Sequence, residues 1–258
     1  MERHCGEASH KADIRLMNAI VVIPARMAST RLPGKPLADI AGEAMIVRVW
    51  RQAVKAGIGP VLVAAADEMI VAAVERAGGR AVLTDPGHGS GSDRVHEALE
   101  RDDPERRFDA VINLQGDLPA LDPTAVRIVA ATLRESGADI ATLAAPISDA
   151  ADYDNPNVVK PVVAWDKQGR RGRALYFTRA RAPSGEGALF HHVGIYAFTR
   201  AALARFVALP PSALEQREKL EQLRALEAGM RIEVAYIDAV PLSVDTREDL
   251  ERARRLLS

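Results

Sequence analysis

Five short apolar runs, Ala19 to Ile23, Val61 to Ala65, Ala81 to Leu83, Ala110 to Leu114 and Ile140 to Ala145, alternate with stretches whose apolar residues recur every three to four positions. That alternation constrains the fold more than any other feature of the chain. A brief, unbroken apolar run suits a strand covered on both faces, and a 3.6-residue period suits a helix that buries one side. Strands joined through helices are connected by right-handed crossovers. The pattern therefore predicts an α/β fold, a mostly parallel sheet with helices on both faces.

The helical stretches carry their own punctuation. Met45, Ile46, Val49, Ala53 and Val54 run up to Gly57, and Ile70, Val71, Val74 and Ala77 run up to Gly78-Gly79. A third stretch carries Val95, Ala98 and Leu99. Asp122-Pro123 reads as an N-cap and first-turn proline for a helix holding Val126, Val129 and Leu133, which stops at Gly137. From about Asn155 to Arg181 the rhythm changes to alternating runs, Val158 to Val163 and Ala174 to Phe177, around the turn Asp166-Lys167-Gln168-Gly169. This predicts a β-hairpin excursion placed to serve a partner subunit. The α/β rhythm then returns with a strand from His192 to Phe198, a helix opened by the capping box Ser212 to Glu215, a strand from Ile232 to Ile237, and a terminal helix carrying Leu250, Ala253 and Leu257. Residues 19–258 read as a single domain with an inserted hairpin region at about 155–181, after a polar leader, 1–18, expected to be disordered.

Composition narrows the function classes. Lys and Arg (34) nearly balance Asp and Glu (35), so the bulk positive field that grips a nucleic-acid backbone is missing. No charge-free run approaches the roughly 18 apolar residues of a membrane helix. The single cysteine, Cys5, lies in the leader, which leaves no internal disulfide and no cysteine cluster for zinc. The expectation is a soluble, cytoplasmic protein without a nucleic-acid or membrane partner.

The first apolar run leads straight into Pro24-Ala25-Arg26-Met27-Ala28-Ser29-Thr30-Arg31-Leu32-Pro33-Gly34-Lys35-Pro36. Ligands of doubly wound sheets bind beyond the carboxyl ends of the strands, where this basic loop falls. It has neither the spacing of a P-loop nor that of a dinucleotide-binding turn. Arg26, Arg31 and Lys35 instead form a dispersed clamp suited to a triphosphate, with arginine gripping phosphate bidentately and lysine adding a point charge. Ordinary surface charge is the plainer alternative, opposed by Pro24, Pro33 and Pro36, which stiffen the loop. The fourth run ends in Asn113-Leu114-Gln115-Gly116-Asp117, placing Asp117 at the same edge. Asp117 is either a turn former or a ligand of the Mg²⁺ that accompanies a triphosphate. Asp245, in Val244-Asp245-Thr246, is either a second metal ligand or a helix cap.

These residues resemble the 3-deoxy-D-manno-octulosonate (Kdo) cytidylyltransferases. The matches are Ile23 to Arg26, Ser29 to Pro36, Gly89-Ser90-Gly91-Ser92-Asp93-Arg94, Asn113 to Asp117, Asn155-Pro156-Asn157, Ala174 to Arg179, His192 to Tyr196, Leu220 to Arg224 and Val244 to Thr246, in family order from about Ala19 onward. The resemblance implies a Rossmann-like nucleotidyltransferase fold, a homodimer formed through the hairpin, and transfer of CMP from CTP to the anomeric hydroxyl of Kdo with release of pyrophosphate, for lipopolysaccharide biosynthesis. It implies a nucleotide site of Ala25, Arg26, Arg31, Lys35, Ser90, Arg94 and Asp117, with Arg26, Lys35, Asp117 and Asp245 catalytic and Mg²⁺ on Asp117 and Asp245. Gln115, Arg179, His192, Tyr196, Glu221 and Gln222 match the sugar-acid site. Without the family, His192 and Tyr196 read more readily as core residues of an apolar strand. The chain departs from the family pattern at Asp93, Leu118 and the short segment 182–187. Two other readings stand beside the main one: the same transfer onto a related ulosonic or 8-amino sugar acid, and a noncatalytic nucleotide-sugar binding protein.

Overall fold

A computed structural model describes residues 17–29 and 31–258. Cys5, Thr30 and nearly all of the leader lie outside the described residues. Asn18 is already tied in, its side-chain amide donating to the Arg107 carbonyl at 2.7 Å.

The elements, in chain order, are β1 (Ala19–Ala25), β2 (Asp39–Ile40), β3 (Glu43–Ala44), α1 (Met45–Ala56), β4 (Val61–Ala65), α2 (Glu68–Arg76), β5 (Arg80–Leu83), α3 (Gly91–Asp102), β6 (Ala110–Asn113), α4 (Pro123–Ser136), β7 (Ile140–Pro146), β8 (Lys160–Trp165), β9 (Arg171–Thr178), β10 (Phe190–Thr199), α5 (Arg200–Ala208), α6 (Ala213–Glu218), α7 (Gln222–Glu227), β11 (Ile232–Tyr236) and α8 (Arg247–Leu257). Nine strands form one sheet in the order β5-β4-β1-β6-β10-β7-β11-β9-β8.

The sheet is covered as the apolar runs require. Along β1, Val21 and Ile23 face a core built with α1, α2 and α4, while Ile20 and Val22 face α3, α5 and α7. Both faces being buried is why the run carries no polar alternation. A third, smaller cluster does the positioning: Leu32, Ile40, Met45, Val244, Leu250 and Ala253 pack the loop after β1 against the chain entering α8. Each large side chain buried there contributes about 1.5–3 kcal/mol.

Two features differ from expectation. The hairpin β8–β9 is no separate excursion: β9 pairs with β11, Arg173 opposite Glu233, so the hairpin forms the edge of the main sheet. Its inner residues Ala174 and Phe177 are buried in the common core, which is what holds it there. Second, β10 runs antiparallel between β6 and β7, so its amino-terminal half lies beside the carboxyl end of β7, with Phe190 opposite Pro146. The sequence also gives little warning of α5 and α7, which are short.

Candidate functional site

The loop after β1 is shaped from within. Gly34 adopts a left-handed backbone (φ 72°) that non-glycine residues take at a cost, and it opens a single 3-10 turn from Lys35 to Leu37 with Pro36 buried. The Gly34 N–H donates to the Met27 carbonyl at 3.3 Å, folding the loop back on itself. Opposite, Gly116 follows β6 where a Cβ would meet the Pro24 carbonyl oxygen at 2.9 Å. Only glycine lets the ends of β1 and β6 approach this closely.

Between these strand ends and the start of α3 lies a cleft of about 360 Å³. Ala25, Arg26, Arg31, Lys35, Ser90, Arg94, Gln115, Asp117 and Asp245 all line it. At its centre, Lys35 Nζ donates to Asp117 Oδ2 at 2.9 Å and to Asp245 Oδ1 at 3.1 Å, and Arg31 Nη2 reaches Asp245 Oδ1 at 3.1 Å. Asp117 and Asp245 are drawn together by a backbone bond, Val244 N–H to the Asp117 carbonyl, at 2.9 Å. Burial opposes the charge on Lys35, but the two carboxylates more than offset it, and its pKa lies above the ordinary value.

The plainer structural roles of the two aspartates are filled in other ways. The cap of α8 is Thr246 with Asp249: Thr246 Oγ1 accepts from Asp249 N–H at 3.2 Å, and Asp249 Oδ2 accepts from Thr246 N–H at 2.9 Å. Asp245 is thereby released from capping, and its carboxylate turns into the cleft. Asp117 likewise spends a carboxylate oxygen on Lys35 rather than on its own turn.

Arg94 sits on the first turn of α3 and is buried. Its Nη1 donates to Thr84 Oγ1 at 2.6 Å and to the Asp85 carbonyl at 3.0 Å, while Nη2 is buried without a partner. Burial and then the positive charge of Arg26 lower its pKa. An unpartnered buried guanidinium nitrogen beside a second arginine is an arrangement completed by an anion. Ser90 caps α3, its Oγ accepting from Asp93 N–H at 3.1 Å.

A chain of polar side chains links Gln115 to Glu221. Gln115 Nε2 donates to Asn113 Oδ1 at 3.3 Å, Asn113 Nδ2 to Ser92 Oγ at 3.5 Å, and Ser92 Oγ to Glu221 Oε2 at 3.2 Å. Glu221 Oε1 and Gln222 Nε2 are buried without partners. Burial raises the Glu221 pKa above the ordinary carboxylate value, against hydrogen bonds from Ser90 and Ser92. Tyr196 lies opposite Asn113 in the β6–β10 register, and its ring is 5.5 Å from that of His192. Burial pushes the Tyr196 hydroxyl pKa up and drives His192 down to about 3. A second cleft of about 700 Å³ shares Gly89, Ser90 and Gly91 with the first and is lined by Asp93, Lys219, Glu221 and Arg224 among others.

Arg179 is placed differently from its companions. Its guanidinium donates to three backbone carbonyls, Glu218 (2.7 Å), Pro156 (2.8 Å) and Lys219 (3.3 Å), fastening the end of β9 to the turn before α7. Two of its five N–H groups remain for a ligand. Sequence reasoning passed over the residues that hold these side chains in place. Asn113 and Ser92 stand inside recognised motifs, but their polar links were not legible. Glu218, which accepts from Thr178 Oγ1 at 2.8 Å and Arg179 N–H at 3.0 Å, belongs to none of the motifs. Among the described residues no group of three His, Cys, Asp or Glu side chains is arranged to hold a metal.

A profile of the family described as cytidylyltransferase matches residues 20–232. A 3-deoxy-manno-octulosonate cytidylyltransferase of Rhodospirillum centenum is 65% identical over 240 residues, 93% of this chain and 93% of that one. One from Parvibaculum lavamentivorans is 63% identical over 239 residues, covering 93% and 92%. Among solved structures, a CMP:2-keto-3-deoxy-manno-octonic acid synthetase complexed with CTP superposes with a TM-score of 0.85 at 40% identity, covering 93% of this chain and 98% of that one. The 4-diphosphocytidyl-2C-methyl-D-erythritol synthase of Anaerococcus prevotii shares the fold at 13% identity and a TM-score of 0.64, covering 94% of this chain and 99% of that one.

Proposed function

The chain belongs to the 3-deoxy-manno-octulosonate cytidylyltransferase family, and on that premise we propose that it moves the CMP unit of CTP onto the anomeric hydroxyl of Kdo, releasing pyrophosphate. The observation that carries this reading is the Lys35 ammonium held between Asp117 and Asp245 in an arginine-lined cleft at the carboxyl ends of β1 and β6. A cleft with Arg26, Arg31, Lys35 and Arg94 suits a polyanion of three phosphates.

The two carboxylates fit a magnesium ion. Their oxygens converge on one point that a cationic nitrogen occupies, and with no third acid grouped with them among the described residues a cation there would draw its other ligands from water and phosphate. Asp117 and Asp245 would hold it, and when bound it would neutralise charge on the α-phosphate and make the attacking hydroxyl more acidic. The chain's own residues supply the rest. Lys35 and Arg31 balance the aspartates and offer charge to the phosphates, Arg94 keeps a donor ready, and Ser90 with its glycine neighbours borders the nucleotide. In-line attack then rests on positioning and electrostatics more than on a dedicated base.

The acceptor half is read as Gln115, Arg179, His192, Tyr196, Glu221 and Gln222. Unpartnered buried atoms on Glu221 and Gln222 support it, because a polyhydroxy acid brings both donors and acceptors. The exposed hairpin edge, with Leu175 half-exposed, offers a surface for a second copy, and a homodimer is part of the proposal. No helix among the described residues is long and apolar enough to cross a membrane, in keeping with a cytoplasmic enzyme feeding lipopolysaccharide assembly.

The test is pyrophosphate release with Mg²⁺, each of the four nucleoside triphosphates and a panel of ulosonic and amino-sugar acids. Release with CTP and Kdo alone is the expected result. Release with CTP and a different acid reassigns the acceptor, and no release in any combination refutes the activity.

A further inference from the structure

Thr142 lies at the middle of β7, fully buried between apolar neighbours, where a threonine ordinarily serves only as a strand former. Its hydroxyl is 3.0 Å from His192 Nε2, 2.9 Å from the Ile195 carbonyl and 3.2 Å from the Val193 carbonyl. Those carbonyls belong to an irregular stretch of β10, where the pairing with β7 slips between Val193 and Ala197. The regular ladder is interrupted there, and the threonine hydroxyl fills the gap.

The proton count at this point has one economical solution. A hydroxyl owns one hydrogen, and both carbonyls are acceptors only. If that hydrogen went to His192, both carbonyls would go without it in a buried place, at the full cost of desolvation. The hydroxyl therefore donates to Ile195 and accepts from Nε2–H of the imidazole. We propose that Thr142 is a positioning residue that fixes His192 in its Nε2–H form, so that Nδ1 presents a bare lone pair to the acceptor substrate. A neutral imidazole carries one N–H, so fixing it at Nε2 decides the role of the other nitrogen. Burial keeps the ring neutral. Nδ1 is not among the sealed, unpartnered atoms of the described residues. The ring is wedged against Phe177 at 4.9 Å and Tyr196 at 5.5 Å, so it is held in orientation as well as in tautomer.

The consequence is a specificity rule. Nδ1 accepts a hydrogen bond from a substrate hydroxyl and repels an ether, carbonyl or fluorine at the same point. This half of the inference rests on the proposed sugar-acid reading, while the tautomer itself does not.

Nitrogen-15 NMR of the unliganded protein, with His192→Gln identifying the resonance, is expected to show His192 protonated at Nε2 and bare at Nδ1. Thr142→Val should let the Nδ1–H form appear and raise KM for the sugar acid about three- to tenfold with KM for CTP unchanged, while Thr142→Ser restores both. Nδ1–H as the main form in the wild type overturns the proposal, whatever the substrate proves to be. A correct tautomer together with an unchanged sugar-acid KM in Thr142→Val overturns the substrate half. If the wild type turns over no acid at all, the spectrum still decides the tautomer, and the functional reading fails separately. Thermal melts confirm that the variants fold, and the wild-type spectrum needs no variant to refute the assignment.

Discussion

The buried imidazole makes a quantitative claim about acid stability. His192 has a folded-state pKa of about 3 against 6.5 for the unfolded chain, chiefly because burial penalises its charge, with neighbouring His191 adding in the same direction. The sign follows directly. Below pH 6.5 the unfolded chain takes up a proton at this position and the folded chain does not, so stability present above 6.5 is lost as pH falls toward 3. Each pH unit inside that window is worth about 1.4 kcal/mol. From 6.5 down to 5 the loss is therefore about 2 kcal/mol, or a fall in Tm of roughly 4–8 °C for a chain of this length. Melting wild type and His192→Gln from pH 7.5 to pH 5 isolates this share, because every other acid-sensitive group is common to both. Glutamine suits the purpose, since its amide can still donate to Thr142. The level of the two curves is free to differ; the slopes must diverge, the variant losing less. Parallel curves, within about 1 °C across the range, would refute the claim that the ring is folded in neutral form.

Two substitutions in the nucleotide half give independent checks. Asp117→Asn should retain the fold, with Tm lowered by no more than a few degrees for the loss of one partly exposed ion pair, while CMP transfer falls by at least about a hundredfold; most activity remaining at saturating Mg²⁺ would contradict the role given to this carboxylate. Gly116→Ala places a Cβ 2.9 Å from the Pro24 carbonyl oxygen and should cost about 1–3 kcal/mol of stability and raise KM for CTP, read by melting and steady-state kinetics; no change in either would mean the strand ends are not as tightly apposed as described.

The basic cleft was legible because its signals are local. A buried strand, a stiffened basic loop and a Gly-Asp pair announce themselves within a few residues, and the structure brings Arg26, Arg31, Lys35, Asp117 and Asp245 to one cleft. What stayed hidden depends on pairing over distance. The reversal of β10 cannot be read from its own residues, because a buried strand looks the same in either direction. The hairpin read as an excursion because its alternation marks strands without saying which neighbour they join. Arg179 was named for a charge it could offer, whereas most of its donors hold three carbonyls that lie 23 to 40 residues away in the chain. Thr142 gave no signal at all, since threonine is commonplace in strands and its work lies in one proton.

On the proposed reading, the reversed course of β10 also divides the chain into separate territories for its two substrates. Most residues of the cleft assigned to the nucleotide fall between Pro24 and Asp117, with Asp245 returning late, whereas apart from Gln115 those assigned to the acceptor fall between Thr142 and Gln222. Relatives that differ in their acceptor can therefore be recombined near α4, which carries residues of neither set, and crossed back before Val244, leaving the triphosphate machinery of one parent intact. A library of such chimeras would sample acceptor chemistry on a constant cytidine donor, with Ser90 to Ser92 and Asn113 to Asp117 as the seams at which the two halves must still agree.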